Sequence, residues 1–276
     1  MTRGPVVIMI AGLIVASSVV LSACSSTGRS SDTLTPTADR PDTLAETNVK
    51  LGIGYMQQGK ADLALGRLQR ALELEPNLAS GHNAIAILYE QLGKIDLADE
   101  HYQRAVELKP QDSAAHNNYG TFLCSKRNLL DKAEQQFLEA LKNPLYDTPE
   151  FAYENAGLCA KRKPDVAKAE QYFRKALELN PRLPTSLYQM ALINFEAQRY
   201  LPARAYFQRY AEIARHTPQS LWLGIRIERE LGDKNAVSSY SLYLKSNFPD
   251  SDEARLLRES GTGPVETPPL RHGHSG

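Results

Sequence analysis

Three cysteines are the residues of this chain whose chemistry its sequence can argue for. Cys24 stands directly behind Leu21-Ser22-Ala23, at the end of an apolar run that begins at Val6. A thiol in that setting is a target for acylation. Cys124 and Cys159 remain as an even pair, which an oxidising compartment allows to be joined. The six histidines are scattered, and His272 and His274 have no cysteine or carboxylate beside them to complete a metal site. No Gly-rich phosphate loop, H-E-x-x-H or G-x-S-x-G stretch occurs. With no catalytic set, no metal ligands and no cofactor motif, the chain is expected to be a binding protein, not an enzyme.

The elements that position the cysteines come from a repeat. Gly52, Ala86, Gly120, Gly157, Ala191 and Gly224 recur at one phase. Ala64, Ala98, Ala133, Ala169, Ala203 and Ala236 recur at a second, and Leu68, Tyr102, Phe137, Phe173, Phe207 and Tyr240 at a third. Pro76, Pro110 and Pro181 close units, since proline cannot supply the next helical donor. A period of about 34 residues with small side chains at a helix crossing is the tetratricopeptide pattern. The expected fold class is all-α, a right-handed superhelical solenoid of six tetratricopeptide helix-turn-helix repeats with a short C-terminal capping helix. Units are expected at 45–78, 79–112, 113–149, 150–183, 184–216 and 217–250, and the cap over 251–259, started by Ser251 or Asp252.

Departures from the pattern carry their own expectations. Unit three has an extra residue before Ala133, and the junction Asn143–Pro149 is long, so the stack should divide there into two halves of three units. Tyr210 and Tyr243 replace small residues and would push helices apart, unless, as is preferred here, the neighbours repack to compensate. Cys124 and Cys159 fall on the first helices of adjacent units, whose axes should lie about 8–10 Å apart. A disulfide, which needs Cα atoms within about 7 Å, and two buried thiols both fit; the bond is preferred because it would clamp the irregular junction. Lys161-Arg162-Lys163 reads as a solvated connection.

Both ends differ from the repeats. Residues 1–23 read as a signal peptide, too short for a membrane span of about 20 apolar residues. Leu-Ser-Ala-Cys resembles the lipobox, which implies that Cys24 becomes the acylated first residue; Ser25 after it favours the outer membrane. Residues 24–42 then supply the lipidated cysteine and a Ser/Thr/Pro-rich tether that buries no core. The domain of six repeats spans 43–259, and 260–276 read as a disordered tail. Lys and Arg number 32 against 32 Asp and Glu, with no basic stripe, which argues against nucleic acid as a partner.

A stack of this kind lines a groove with its first helices. Phasing on the glycines places Val49, Ile53, Met56 and Gln57 there in unit one, Asn83, Ile87, Glu90 and Gln91 in unit two, and Asn117, Thr121 and Ser125 in unit three. Apolar anchors flanked by amides suit an extended or helical peptide, not a small-molecule substrate. A Lys/Asn carboxylate clamp is not expected, because Val49 and Ile53 occupy its phases.

Asn117–Cys124 (NNYGTFLC) and Tyr153–Ala160 (YENAGLCA), together with six repeats, a lipobox and a short tether, resemble the type IV pilus biogenesis lipoproteins of the PilF/PilW family over roughly residues 20–255. The resemblance implies a pilotin, lipid-anchored at the periplasmic face of the outer membrane. Its partner would be the type IV pilus secretin, whose localisation and multimerisation it promotes. Two other readings share lipid and repeats: an adaptor of barrel assembly or cell-wall hydrolase control, and a self-associating periplasmic scaffold.

Overall fold

The computed structural model describes residues 42–260. Cys24, the tether before Asp42 and the segment that carries His272 and His274 lie outside the described residues. Thirteen helices follow one another, with no strand among the described residues. Six hairpins run in chain order: α1 (Leu44–Gln57) with α2 (Ala61–Leu74), α3 (Ala79–Gln91) with α4 (Ile95–Leu108), and α5 (Ser113–Ser125) with α6 (Leu130–Ala140). Then come α7 (Pro149–Arg162) with α8 (Val166–Leu179), α9 (Pro184–Glu196) with α10 (Tyr200–Ala211), and α11 (Pro218–Leu231) with α12 (Lys234–Asn247). A final helix, α13 (Asp252–Ser260), closes the solenoid.

Local chemistry sets these boundaries. Thr43 accepts from the Glu46 amide at 3.1 Å while the Glu46 carboxylate accepts from the Thr43 amide at 2.7 Å, a reciprocal cap on α1. Asp112, Asp165 and Asp233 cap α5, α8 and α12 by accepting from the amides of Ala115, Lys168 and Ala236. The turns after α1 and α3 need a left-handed residue, and Gly59 (φ 70°) and Gly93 (φ 69°) supply it without steric cost. Ser251 starts α13 by accepting from the Ala254 amide at 3.2 Å.

Each hairpin closes where a small residue of the first helix faces a large one of the second. A Cβ on Gly120 would stand 2.7 Å from the Phe137 ring, and one on Gly157 2.8 Å from Phe173. Phe137, Phe173 and Phe207 are wholly buried, and each contributes roughly 1.5–3 kcal/mol by leaving water. Between units, His82 and His116 each donate from Nε2 at 3.0 Å to the carbonyls of Pro76 and Pro110, so the residues that end one hairpin are held by the next.

The apolar core has three clusters. One runs from Val49 through the third unit to Ala156, Cys159 and Tyr172; a second runs from Ala169 to Ile227. The third joins Leu221, Ile225 and Leu244 to Ala254 and Leu257 of α13. The expected division at Asn143–Pro149 is therefore displaced into the fourth unit. Across the long junction α5 and α7 remain in contact and are tied by Cys124 and Cys159, which keeps α7 with the first three hairpins. The crowding by Tyr210 is relieved. Its ring is buried, its hydroxyl donates to the Arg215 carbonyl at 3.2 Å, and α10 ends one residue later. Tyr243 is 46 % exposed and lies against His216 rather than between helices.

Candidate functional site

First helices touch one another from α1 through α7 and again between α9 and α11, whereas each second helix packs on the first helix that follows it. The first helices thus form the inner layer, joined between α7 and α9 by side chains rather than by close helix packing. Polar side chains bridge its rungs. Asn118 donates to Asn83 Oδ1 at 3.3 Å, and Asn155 donates to Asn117 Oδ1 at 3.0 Å. Glu154 accepts from the amide and the hydroxyl of Ser186 at 3.0 and 2.6 Å. Lys161 donates from Nζ to Gln189 Oε1 at 2.7 Å.

Most residues assigned to the groove of units one to three lie on the surface of this layer, but not all are free. Ile53 is 40 % exposed, and Gln57, Gln91, Thr121 and Ser125 are exposed. Ile87 and Met56 are half-buried and pack their stems on the core. Asn83 and Asn117 spend their side-chain oxygens on the rungs, Glu90 accepts from the Tyr102 hydroxyl at 2.9 Å, and Thr121 donates back to the Asn117 carbonyl. Val49 is a correction. At 4 % exposure it belongs to the core, because α3 lies over that side of α1.

Cys124 and Cys159 are joined by a disulfide with Cα atoms 5.9 Å apart. Cys124 occupies the repeat phase that Met56 and Glu90 hold in the first two units. The Arg162 guanidinium donates to the Cys124 carbonyl and to Asn128, and Lys163 pairs with Asp131. Arg162 and Lys163 are exposed, as a solvated connection requires, and reach groups of the third unit; Lys161 departs from that reading, being half-buried against Gln189 of the fifth.

The second half of the surface carries residues that the sequence reading passed over. Lys161 and Phe195 continue the phase of Met56 and Glu90, a signal that extending the register past unit three would have found. Arg226 of α11 lies over the Phe195 ring with its guanidinium carbon 4.3 Å from the centroid, and Arg229 lies 5.5 Å from the Trp222 ring. Burial lowers the pKa of Lys161 and of Arg226, and Glu196 opposes that in both. Burial foremost pushes the Tyr188 phenol up to about 12, helped by Tyr210 and Glu253. The first half thus offers amides and aliphatic side chains, the second half cations and aromatic rings.

Tetratricopeptide-repeat family models match residues 43–111, 83–147 and 125–184. The type IV pilus assembly protein PilF of Pseudomonas aeruginosa is 32 % identical over 212 residues, covering 77 % of this chain and 84 % of that protein. The solved structure of Pseudomonas aeruginosa PilF superposes with a TM-score of 0.75 at 33 % identity, over 79 % of this chain and 97 % of the other. That of PilW, described as a widely conserved type IV pilus biogenesis factor, gives 0.71 at 28 % identity over 79 % and 99 %. The chain belongs to the PilF/PilW family of tetratricopeptide-repeat proteins of type IV pilus biogenesis.

Proposed function

We propose that this protein is a lipid-anchored pilotin of the outer membrane. In this reading Cys24 carries the acyl chains, residues 25–42 are the tether, and the inner face of the repeats grips the secretin of the type IV pilus. The observation that supports it best is the match to PilF across 77 % of the chain. The physical logic is one of confinement. Each buried CH₂ contributes about 0.8 kcal/mol, so several acyl chains hold stably where one is marginal. A tether of this length extends at most about 60 Å, and about 25 Å as a flexible coil. A secretin subunit held within that reach has a raised effective concentration for ring assembly.

The test is secretin localisation in a strain deleted for this gene, following SDS-resistant multimers through membrane fractionation. Loss of multimers, or monomers held at the inner membrane, is expected, with rescue by the wild type and not by Cys24→Ala. Normal multimers at the outer membrane would overturn the pilotin and favour an adaptor of another envelope machine.

A further inference from the structure

The inner face over α7, α9 and α11 holds donors that no acceptor among the described residues takes up. Lys161 is half-buried, and its one hydrogen bond among the described residues goes to the neutral Gln189 amide, which leaves two of its three N–H groups without a partner there. Arg226 is half-buried too. Its guanidinium stacks on Phe195, and among the described residues none of its five N–H donors meets a protein acceptor. The Tyr188 hydroxyl, on α9 between them, likewise has no hydrogen-bond acceptor among the described residues. Among the described residues neither cation has a carboxylate within ion-pair distance, although Glu196 acts on both and Glu230 on Arg226 through space.

Several other cations do find carboxylates. Arg127 holds Asp96 and Asp99, Arg199 holds Glu170, and Arg204 holds Glu228. Leaving half-desolvated cations unpaired is unfavourable for the free protein. Stacking on Phe195 fixes the plane of the Arg226 fork, so a planar acceptor can be met bidentately with little further loss of side-chain freedom. The two cations supply only donors and the phenol can add one more, a set best met by a charged group that supplies only acceptors, such as an ionised carboxylate.

We propose that this half of the inner face binds an extended peptide segment through its Asp or Glu side chains, with Lys161, Arg226 and the Tyr188 hydroxyl as the carboxylate donors. The proposal rests on the reading of the inner face as the partner groove and adds the chemistry of the segment held there. Amide-lined rungs in the first three units and a cationic end in the last three also give a bound segment a direction.

Trp222 makes this measurable. It is the single tryptophan of the chain and lies one helical turn before Arg226 on α11. The experiment titrates full-length protein in detergent with an acetylated, amidated peptide of alternating Glu and Ala, reading Trp222 fluorescence. A saturable change that weakens with salt is expected, and the peptide with Gln in place of Glu should not produce it. Lys161→Met with Arg226→Met should weaken binding at least tenfold, and Arg226→Lys should fall between. Circular dichroism and thermal melting establish that each variant is folded, and Gly66→Ala on α2, away from the inner layer, serves as a control that retains full binding. No response to the Glu peptide, equal binding of the Gln peptide, or unchanged binding by the folded double variant would overturn the proposal. So would preference for a neutral peptide with a free C-terminus. These outcomes are separate from the secretin experiment: the pilotin fails if the deletion strain assembles normal multimers, whatever the titration shows.

Discussion

Cys124 of α5 and Cys159 of α7 are bonded across the seam between the third and fourth hairpins, with Cα atoms 5.9 Å apart. The bond closes a loop with a sequence separation of 35 residues that contains the long junction and its exposed Leu145. Constraining such a loop in the unfolded chain is worth about 2–4 kcal/mol. Non-reduced protein should therefore gain about 2 Da on reduction under denaturing conditions. Cys124→Ser with Cys159→Ser should lower stability to denaturant by that amount. An unchanged mass would show that the thiols are free.

The hairpin crossings predict a contrast between two glycine substitutions. Gly120→Ala places a Cβ 2.7 Å from Phe137 and 3.1 Å from the Ala133 carbonyl, so ring and backbone must both shift. The expected cost is about 1–3 kcal/mol. Gly66→Ala, on the open side of α2, meets nothing within 4 Å and should gain up to about 1 kcal/mol from helix propensity. Urea unfolding of both variants checks the pair, and equal effects would mean that the crossing is looser than described.

The pattern of small and large residues made the fold legible, because Gly120 opposite Phe137 or Gly157 opposite Phe173 is a contact within one hairpin and so depends on local spacing alone. The surface was less legible. Val49 shares the phase of Asn83 and Asn117, yet only the position of α3 decides that it is covered. Lys161 and Phe195 could have been reached by continuing the phase of Met56. Arg226 could not, since its place over Phe195 depends on how α11 is rotated against α9, and the helix-to-helix angle is not written in either helix.

A histidine pair predicts pH dependence. His82 donates from Nε2 to the Pro76 carbonyl, so its neutral ring must accept at Nδ1 from His101, 2.9 Å away. Burial, and then the charge of His82, hold His101 below its ordinary value of 6.5. The unfolded chain therefore takes up a proton that the folded chain resists. The stability tied to His101 is complete above about pH 6.5 and is lost as the pH falls through the lower folded value; His216, lowered by burial, has the same sign. Melting temperature should fall from about pH 7.5 to pH 5, and His101→Gln should reduce that fall. An identical profile in the variant would remove His101 from the account.

Arg204 and Glu228 predict a reversal between a single and a double substitution. Glu228 is 3 % exposed and accepts from Arg204 Nε at 3.0 Å and again from Nη2, linking α10 to α11. Removing only the cation leaves a carboxylate in a site almost closed to water, where its own desolvation is no longer offset. Arg204→Met should therefore cost about 3 kcal/mol or more. Replacing both, Arg204→Met with Glu228→Leu, keeps the packing volume and strands no charge, so most of that loss should return. Asp233, 3.8 Å from the same guanidinium, is partly exposed and can relax into solvent in either variant. Denaturation of the two variants side by side decides the matter. If the double variant is as unstable as the single one, the pair is needed for its geometry, holding α10 and α11 in register. If the single variant is as stable as the wild type, water reaches Glu228 more freely than its burial implies.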